Sequence, residues 1–259
     1  MTIEQYSHFD TFRRELKNYC QEFSEKFSSE LIPLQKNASK KDTPDYPIEN
    51  PVVYNTALDE ITRETEIKKI IIGDNPGKNE QLSCNKKYLV GQAGKIAAGF
   101  FQKNKEFNTD FRKNAIILNK TPVHSAKTNH LKEIIKNSSP ELKAGIYESM
   151  EWMAEKTASL HKNLCLNSCN KNDEPELWLV GYSELKQKGI FELYRQALLK
   201  NYTNQDSSQY WNNVFVFQHF SMNRFSVDLK KFQEETKIFQ KNIAAQKLGI
   251  LHRKEIFGI

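Results

Sequence analysis

The sequence has no run of about 18 apolar residues, so it predicts no membrane-spanning helix. It also opens without the apolar stretch of a signal peptide, and the expectation is a cytoplasmic protein. Cysteines are few: Cys20, Cys84, Cys165 and Cys169 in 259 residues. Their spacing fits no secreted disulfide framework, and a reducing, intracellular setting is the simplest reading. There is no Gly-x-Ser-x-Gly elbow, which removes the usual α/β-hydrolase signal, and no internal repeat. The hydrophobic fraction of 38% is low but sufficient for a core, with 16 Phe and 10 Tyr supplying bulk. A net charge of +6 and a pI near 8.9 suit a polyanionic partner without requiring one.

The chain is organised around Lys69-Ile70-Ile71-Ile72-Gly73-Asp74-Asn75-Pro76-Gly77-Lys78. The consecutive isoleucines read as a short strand buried on both faces, as in a parallel sheet. Pro76 breaks regular structure and Gly77 permits a tight turn. Between strand and breaker stand a carboxylate, Asp74, and a carboxamide, Asn75. Three further apolar runs follow the same plan. Ala115–Leu118 ends in Asn119, Leu177–Val180 ends at Gly181, and Val214–Phe217 leads to Gln218-His219. Ligands bind beyond the carboxyl ends of strands in open α/β sheets. If these strands run parallel, Asp74/Asn75, Asn119 and His219 converge on one sheet edge.

Between the strands lie helical patterns. Phe9, Phe12, Leu16, Tyr19, Phe23, Phe27 and Leu31 form the apolar stripe of one long N-terminal helix. Residues 35–52 read as a Lys-, Asn- and Pro-rich loop. Pro51-Val52-Val53-Tyr54 reads as short and extended, 57–64 as a brief helix, and a helix follows from about Val90. Ser139-Pro140-Glu141 is a strong helix start, with an N-cap, a first-turn proline and an acid. A helix is expected after Ser183, and a last long one over roughly 226–248. Strands alternating with helices predict an α/β fold: a three-layer α/β/α sandwich around a four-stranded, mostly parallel sheet. The expected organisation is a single domain over 1–259, with 1–64 a helical extension and loop packed on it.

Two other chemistries are weak. The Gly73–Lys78 stretch lacks the spacing of a phosphate-binding P-loop and the Ser or Thr after its lysine. His161, Cys165 and Cys169 recur at steps of four and would share a helix face. No fourth ligand has a recognisable spacing, so no metal site is expected.

The order of motifs resembles the uracil-DNA glycosylase superfamily over about residues 65–250. Gly73-Asp74-Asn75-Pro76-Gly77 is similar to its opening motif, and Val90-Gly91-Gln92-Ala93-Gly94 to its Val-Gly-x-Ala-Gly element. Asn119 matches the strand-terminal asparagine, and His219-Phe220-Ser221 is similar to the closing His-Pro-Ser loop. The cysteine that the iron–sulfur branch carries after this asparagine has no counterpart in Lys120–His124, and no cluster or other cofactor is expected. The stacking phenylalanine is replaced by Leu89, with Tyr88 one residue earlier.

The resemblance implies removal of a flipped uracil from DNA by hydrolysis of its N-glycosidic bond, in base excision repair. It implies Asn75 or Asp74 at the attacking water, with the choice open, and His219 at the developing charge on the base. Asn119 would read the uracil edge and Tyr88 would stack on the ring, with Gly73, Pro76 and Gly77 forming the substrate side of the turn. Lys78, Ser221 and Arg224 would hold phosphates, and Met222 or Phe220 would fill the gap left by the flipped base. DNA is the expected partner and the protein is expected to act as a monomer. The alternatives are a glycosylase for another damaged base, or a non-catalytic nucleic-acid-binding member of the same fold.

Overall fold

Isoleucines 70, 71 and 72 are fully buried at the centre of the first strand. In a computed structural model that describes residues 1–203 and 208–259, they belong to β1 (Lys69–Gly73). Beside it lie β2 (Ala115–Asn119), β3 (Glu176–Val180) and β4 (Val214–Phe217). All pairings are parallel, in the order β2-β1-β3-β4. From β1 the chain adds β2 on one side and then crosses over to add β3 and β4 on the other, so the order of strands switches between β1 and β3. That is the switch point at which an open parallel sheet leaves a crevice beyond its carboxyl ends.

The sheet is covered on both faces, which is why its strands read as continuous apolar runs. On one face Ile70, Ile72, Leu118 and Leu179 pack against α1 (Ile3–Ser39), α3 (Thr128–Asn137), α4 (Pro140–Leu166) and α5 (Glu192–Lys200). On the other, Ile71, Ile117, Trp178 and Phe217 pack against α2 (Gln92–Lys103), α6 (Arg224–Thr236) and α7 (Lys241–Phe257). Each buried isoleucine of β1 contributes about 1.5–3 kcal/mol by area. These layers are the expected α/β/α sandwich.

Differences from the sequence reading are local. The N-terminal helix starts in a capping box in which Thr2 Oγ1 accepts from Gln5 N–H and Gln5 Oε1 accepts from Thr2 N–H. It continues past Pro33 to Ser39, into what composition marked as loop. The reason is Gln35: its buried amide donates to the carbonyls of Pro51 and His124 at 2.9 Å each, anchoring the last turn. The expected 57–64 helix is a 3-10 turn, Thr56–Glu60. After Gly181 comes a 3-10 turn, Tyr182–Leu185, before α5 begins at Glu192. The last long helix is two, α6 and α7, separated at Lys237, whose positive φ ends the first. Val52 forms an antiparallel bridge with Val123, so the extended Val52-Val53 segment borders the loop after β2. No helix among the described residues is long and apolar enough to cross a membrane.

Candidate active site at the strand ends

Beyond the carboxyl ends of β1, β3 and β4 lies a cavity of about 750 Å³. Asp74 and Asn75 form one wall, His219, Ser221 and Arg224 another, and Gly181 and Thr128 lie between.

Asp74 follows β1 directly and is nearly buried. Its Oδ1 lies 2.7 Å from Lys120 Nζ, and its Oδ2 accepts from Thr128 Oγ1 at 3.2 Å. Lys120 is fully buried and also donates to the carbonyls of Gly73 and Val180, at 3.2 and 2.6 Å. These acceptors match the ammonium donors in number, so the side chain is spent as a structural cation. Burial lowers the Lys120 pKa, and Asp74 opposes that shift. Gly181 makes room for the pair: its φ is +99°, and a Cβ there would lie 2.2 Å from Asp74 Oδ1.

Asn75 is oriented by its donors. Nδ2 donates to Ser125 Oγ at 2.9 Å, Ser125 O at 3.1 Å and Pro76 O at 3.2 Å. A carbonyl can only accept, so the amide cannot be flipped. Among the described residues Oδ1 has no donor, and it remains an open acceptor on a side chain in the cavity wall.

The loop after β2 holds the opposing turn in place. Ser125 N–H donates to Pro76 O at 3.1 Å, and His124 Nδ1–H donates to the same oxygen at 2.8 Å. His124 Nε2 therefore accepts from Tyr46 Oη, at 3.0 Å. Burial pulls the His124 pKa down to about 4, and the ring is neutral.

His219 is held in one tautomer too. Its Nδ1 accepts from Ser221 N–H at 3.1 Å and from Ser221 Oγ at 2.8 Å. The ring proton then sits on Nε2, which has no protein partner among the described residues. Burial lowers the His219 pKa; Asp74 opposes this while Lys120 and Arg224 add to it. The result is a neutral imidazole presenting an N–H donor.

Asn119 ends β2 in register with Gly73. Its Oδ1 occupies the space a side chain at 73 would take, 2.4 Å from the position of a Cβ. The side chain is 1% exposed and lies behind the cavity surface; neither amide atom is within good hydrogen-bonding geometry of a partner among the described residues, although the amide lies near enough to Glu80 to favour that carboxylate. It borders Glu80, which does line the cavity. Glu80 accepts from Gly77 N–H at 3.2 Å. Burial pushes its carboxyl up to about 7, against the Gly77 and Leu89 backbone, Arg112 and Asn119, which favour the charged form.

The remaining expected site residues divide. Gly77, Lys78, Ser221, Met222 and Arg224 line the cavity, whereas Gly73 and Pro76 lie in its frame. Tyr88 requires correction as a stacking ring. It is 1% exposed in the apolar layer, with its hydroxyl on Val53 O and its N–H on Asn55 Oδ1. Leu89, with φ +52°, lines the cavity instead. Phe220 is fully buried against Phe111 and Phe225 and cannot be a wedge, while Met222 is 68% exposed at the rim.

The His161 and Cys165 pair is structural. His161 Nε2 lies 3.0 Å from Pro175 O, Nδ1 lies 2.7 Å from Tyr202 Oη, and Cys169 is exposed apart from them. Among the described residues no cluster of three or more potential ligands could hold a metal.

Sequence reasoning missed Lys120, Ser125, Thr128 and Glu80. Lys120 directly follows a strand end and carried no signal beyond that position. Glu80 stands in a polar run without period, where burial could not be foreseen. In comparisons with family models, curated proteins and solved structures, the chain matches none.

Proposed function

We propose that the protein is a DNA N-glycosylase that hydrolyses the bond between deoxyribose and a flipped uracil. The observation that carries this reading is the pairing of Asn75 and His219 on one cavity, each with its orientation fixed and one polar atom unspent. Asn75 Oδ1 accepts a hydrogen bond from water and aims its lone pair at the sugar C1′. Asp74 is a poor general base, because Lys120 and Thr128 already engage its oxygens. The water-positioning role therefore goes to Asn75, with Asp74 an anion facing the positive sugar of the transition state. As the C1′–N1 bond lengthens, charge builds on the uracil O2, and His219 Nε2–H meets it. A preorganised donor at developing charge is commonly the largest catalytic term.

Asn119 supplies base selection. Its unpaired buried amide can accept from the uracil N3–H and donate to O4 once the side chains of Glu80 and Leu89 turn aside. Lys78, Arg224 and the Ser221 turn supply phosphate contacts, which position the strand without reading it.

The test is incubation with uracil-containing single strands and with U·G and U·A duplexes, followed by alkaline cleavage at abasic sites. Abasic product on at least one is expected. Its absence from all, with DNA binding intact, overturns the reading. Asn119→Asp is expected to abolish uracil release; because it buries a carboxyl beside Glu80 it should also lower the melting temperature, so release is compared at a temperature where both proteins are folded. A second reading, release of a different damaged base, is favoured by Leu89 standing where an aromatic ring would stack and by the Glu80 carboxyl on the cavity, which burial pushes up to about 7. A panel of hypoxanthine, xanthine and oxidised pyrimidines separates the two.

A further inference from the structure

The cavity does not end at its rim. The first turn of α3 lines it with Thr128 and Asn129, and the next turns of the same helix line a second groove of about 500 Å³ with Lys132 and Lys136. The segment after β3 behaves likewise: Ser183 and Glu184 line the cavity, Lys188 and Ile190 the groove. The Lys132–Glu184 ion pair, at 3.0 Å, marks the border. The groove thus continues the site along shared elements.

Its chemistry is one-sided. Lys136 on α3, Lys143 on α4 and Lys188 in the loop are exposed, and no carboxylate among the described residues forms an ion pair with their ammonium groups, although Glu192 accepts from the Lys188 backbone N–H at 2.8 Å. The one acid in the groove, Glu192, is engaged by Arg195 at 3.2 Å. Beneath the lysines are Ile135 and Leu193, and the half-buried ring of Tyr147. Cations over an apolar and aromatic floor make a track for a single strand, in which phosphates meet the charges and bases lie on the ring. From Asn129 to Lys136 the helix rises about 10 Å, so the groove begins within a few nucleotides of the cavity.

We propose that this groove carries the DNA strand leaving the cavity, binding the phosphates two to four nucleotides from the flipped base through Lys136, Lys143 and Lys188. The inference rests on the glycosylase reading for its substrate, but its test does not use base release.

The experiment compares the full-length protein with a Lys136→Gln/Lys143→Gln/Lys188→Gln variant by fluorescence anisotropy, on uracil-containing single strands of 5 and 20 nucleotides over a range of salt. Lysine-to-glutamine changes on exposed positions preserve the fold, and a thermal melt checks it. For the 20-mer, the variant is expected to bind at least tenfold more weakly at 0.1 M salt. Its salt slope should fall by about 2, from three lost contacts at about 0.7 each. Of two 5-mers carrying the uracil at the 5′ or the 3′ end, the one whose strand runs away from the groove places no phosphate in it and should bind equally to both proteins. Equal affinity and slope for the 20-mer would overturn the groove. So would competition by a poly-glutamate peptide as effective as the 20-mer, since that would make the surface a general acidic-protein site. Base release measured in parallel separates the two ideas: a groove effect without release removes only the catalytic reading, and release without a groove effect removes only the groove.

Discussion

Lys120 Nζ stands 2.7 Å from Asp74 Oδ1, with the lysine wholly excluded from water and the carboxylate nearly so. The pair joins β2 to the end of β1, and through Val180 O to β3. Lys120→Met should leave Asp74 buried and uncompensated and lower stability by about 3–5 kcal/mol in urea unfolding. The double change Lys120→Met/Asp74→Asn should recover much of that loss, because no charge then remains unpaired. A single variant within about 1 kcal/mol of wild type would contradict the assignment of Lys120 as a structural cation.

Gly181 offers a sterically cleaner probe. Alanine there meets both the positive φ and a Cβ position 2.2 Å from the carboxylate. Gly181→Ala is expected to cost about 1–3 kcal/mol and to displace Asp74. Gly99→Ala is the control, in helix α2 with open space around the new methyl. It should stabilise by about 0.4–1 kcal/mol. Thermal melts of the two variants should move in opposite directions.

The tautomer of His219 can be observed directly. With Nδ1 accepting from Ser221 N–H, the ¹⁵N spectrum should show an unprotonated Nδ1 and a protonated Nε2 at neutral pH. Because burial lowers its pKa, this neutral form should persist as pH falls past about 6.5, the ordinary histidine value. His219→Ala should reduce uracil release by about 10²–10³-fold with little effect on stability. Ser221→Ala keeps the backbone donor, so it should leave the tautomer unchanged and cost far less.

Stability should depend on pH through opposed groups. His124 and His161 fall from 6.5 to about 4 on burial, so the unfolded chain binds more protons between those values. Their contribution is complete above pH 6.5 and is lost as pH falls towards 4. Glu80 rises from 4.5 to about 7, and its contribution is present below pH 4.5 and lost as pH rises through 7. Each effect is on the order of 3 kcal/mol. Glu80→Gln should therefore steepen the gain in stability from pH 4.5 to 6.5 and remove the decline towards 7. Urea midpoints across that range would check it, and an unchanged profile would mean that Glu80 does not titrate there.

The strands were legible because burial on both faces leaves an uninterrupted apolar run, and each run in the sequence coincides with a strand to within a residue. Asn75, Asp74 and His219 were legible as polar residues at strand ends, and the parallel sheet places them on one cavity. The pattern failed where a side chain's environment comes from distant segments. Tyr88 reads as available, yet it is held inward by Val53 and Asn55, more than thirty positions earlier. Lys120 reads as a solvent lysine until the ends of three strands close around it. The helix through Gln35 was hidden for the same reason, since a Lys- and Asn-rich composition carries no trace of a buried amide contact 89 residues away.

That contact has a kinetic consequence. Gln35 grips the carbonyl of His124, His124 grips Pro76, and Ser125 grips Asn75. Opening the base of the N-terminal helix and loosening the hold on Asn75 are then a single event rather than two. Amides at Ser125 and at the end of the helix should exchange with solvent at a common rate.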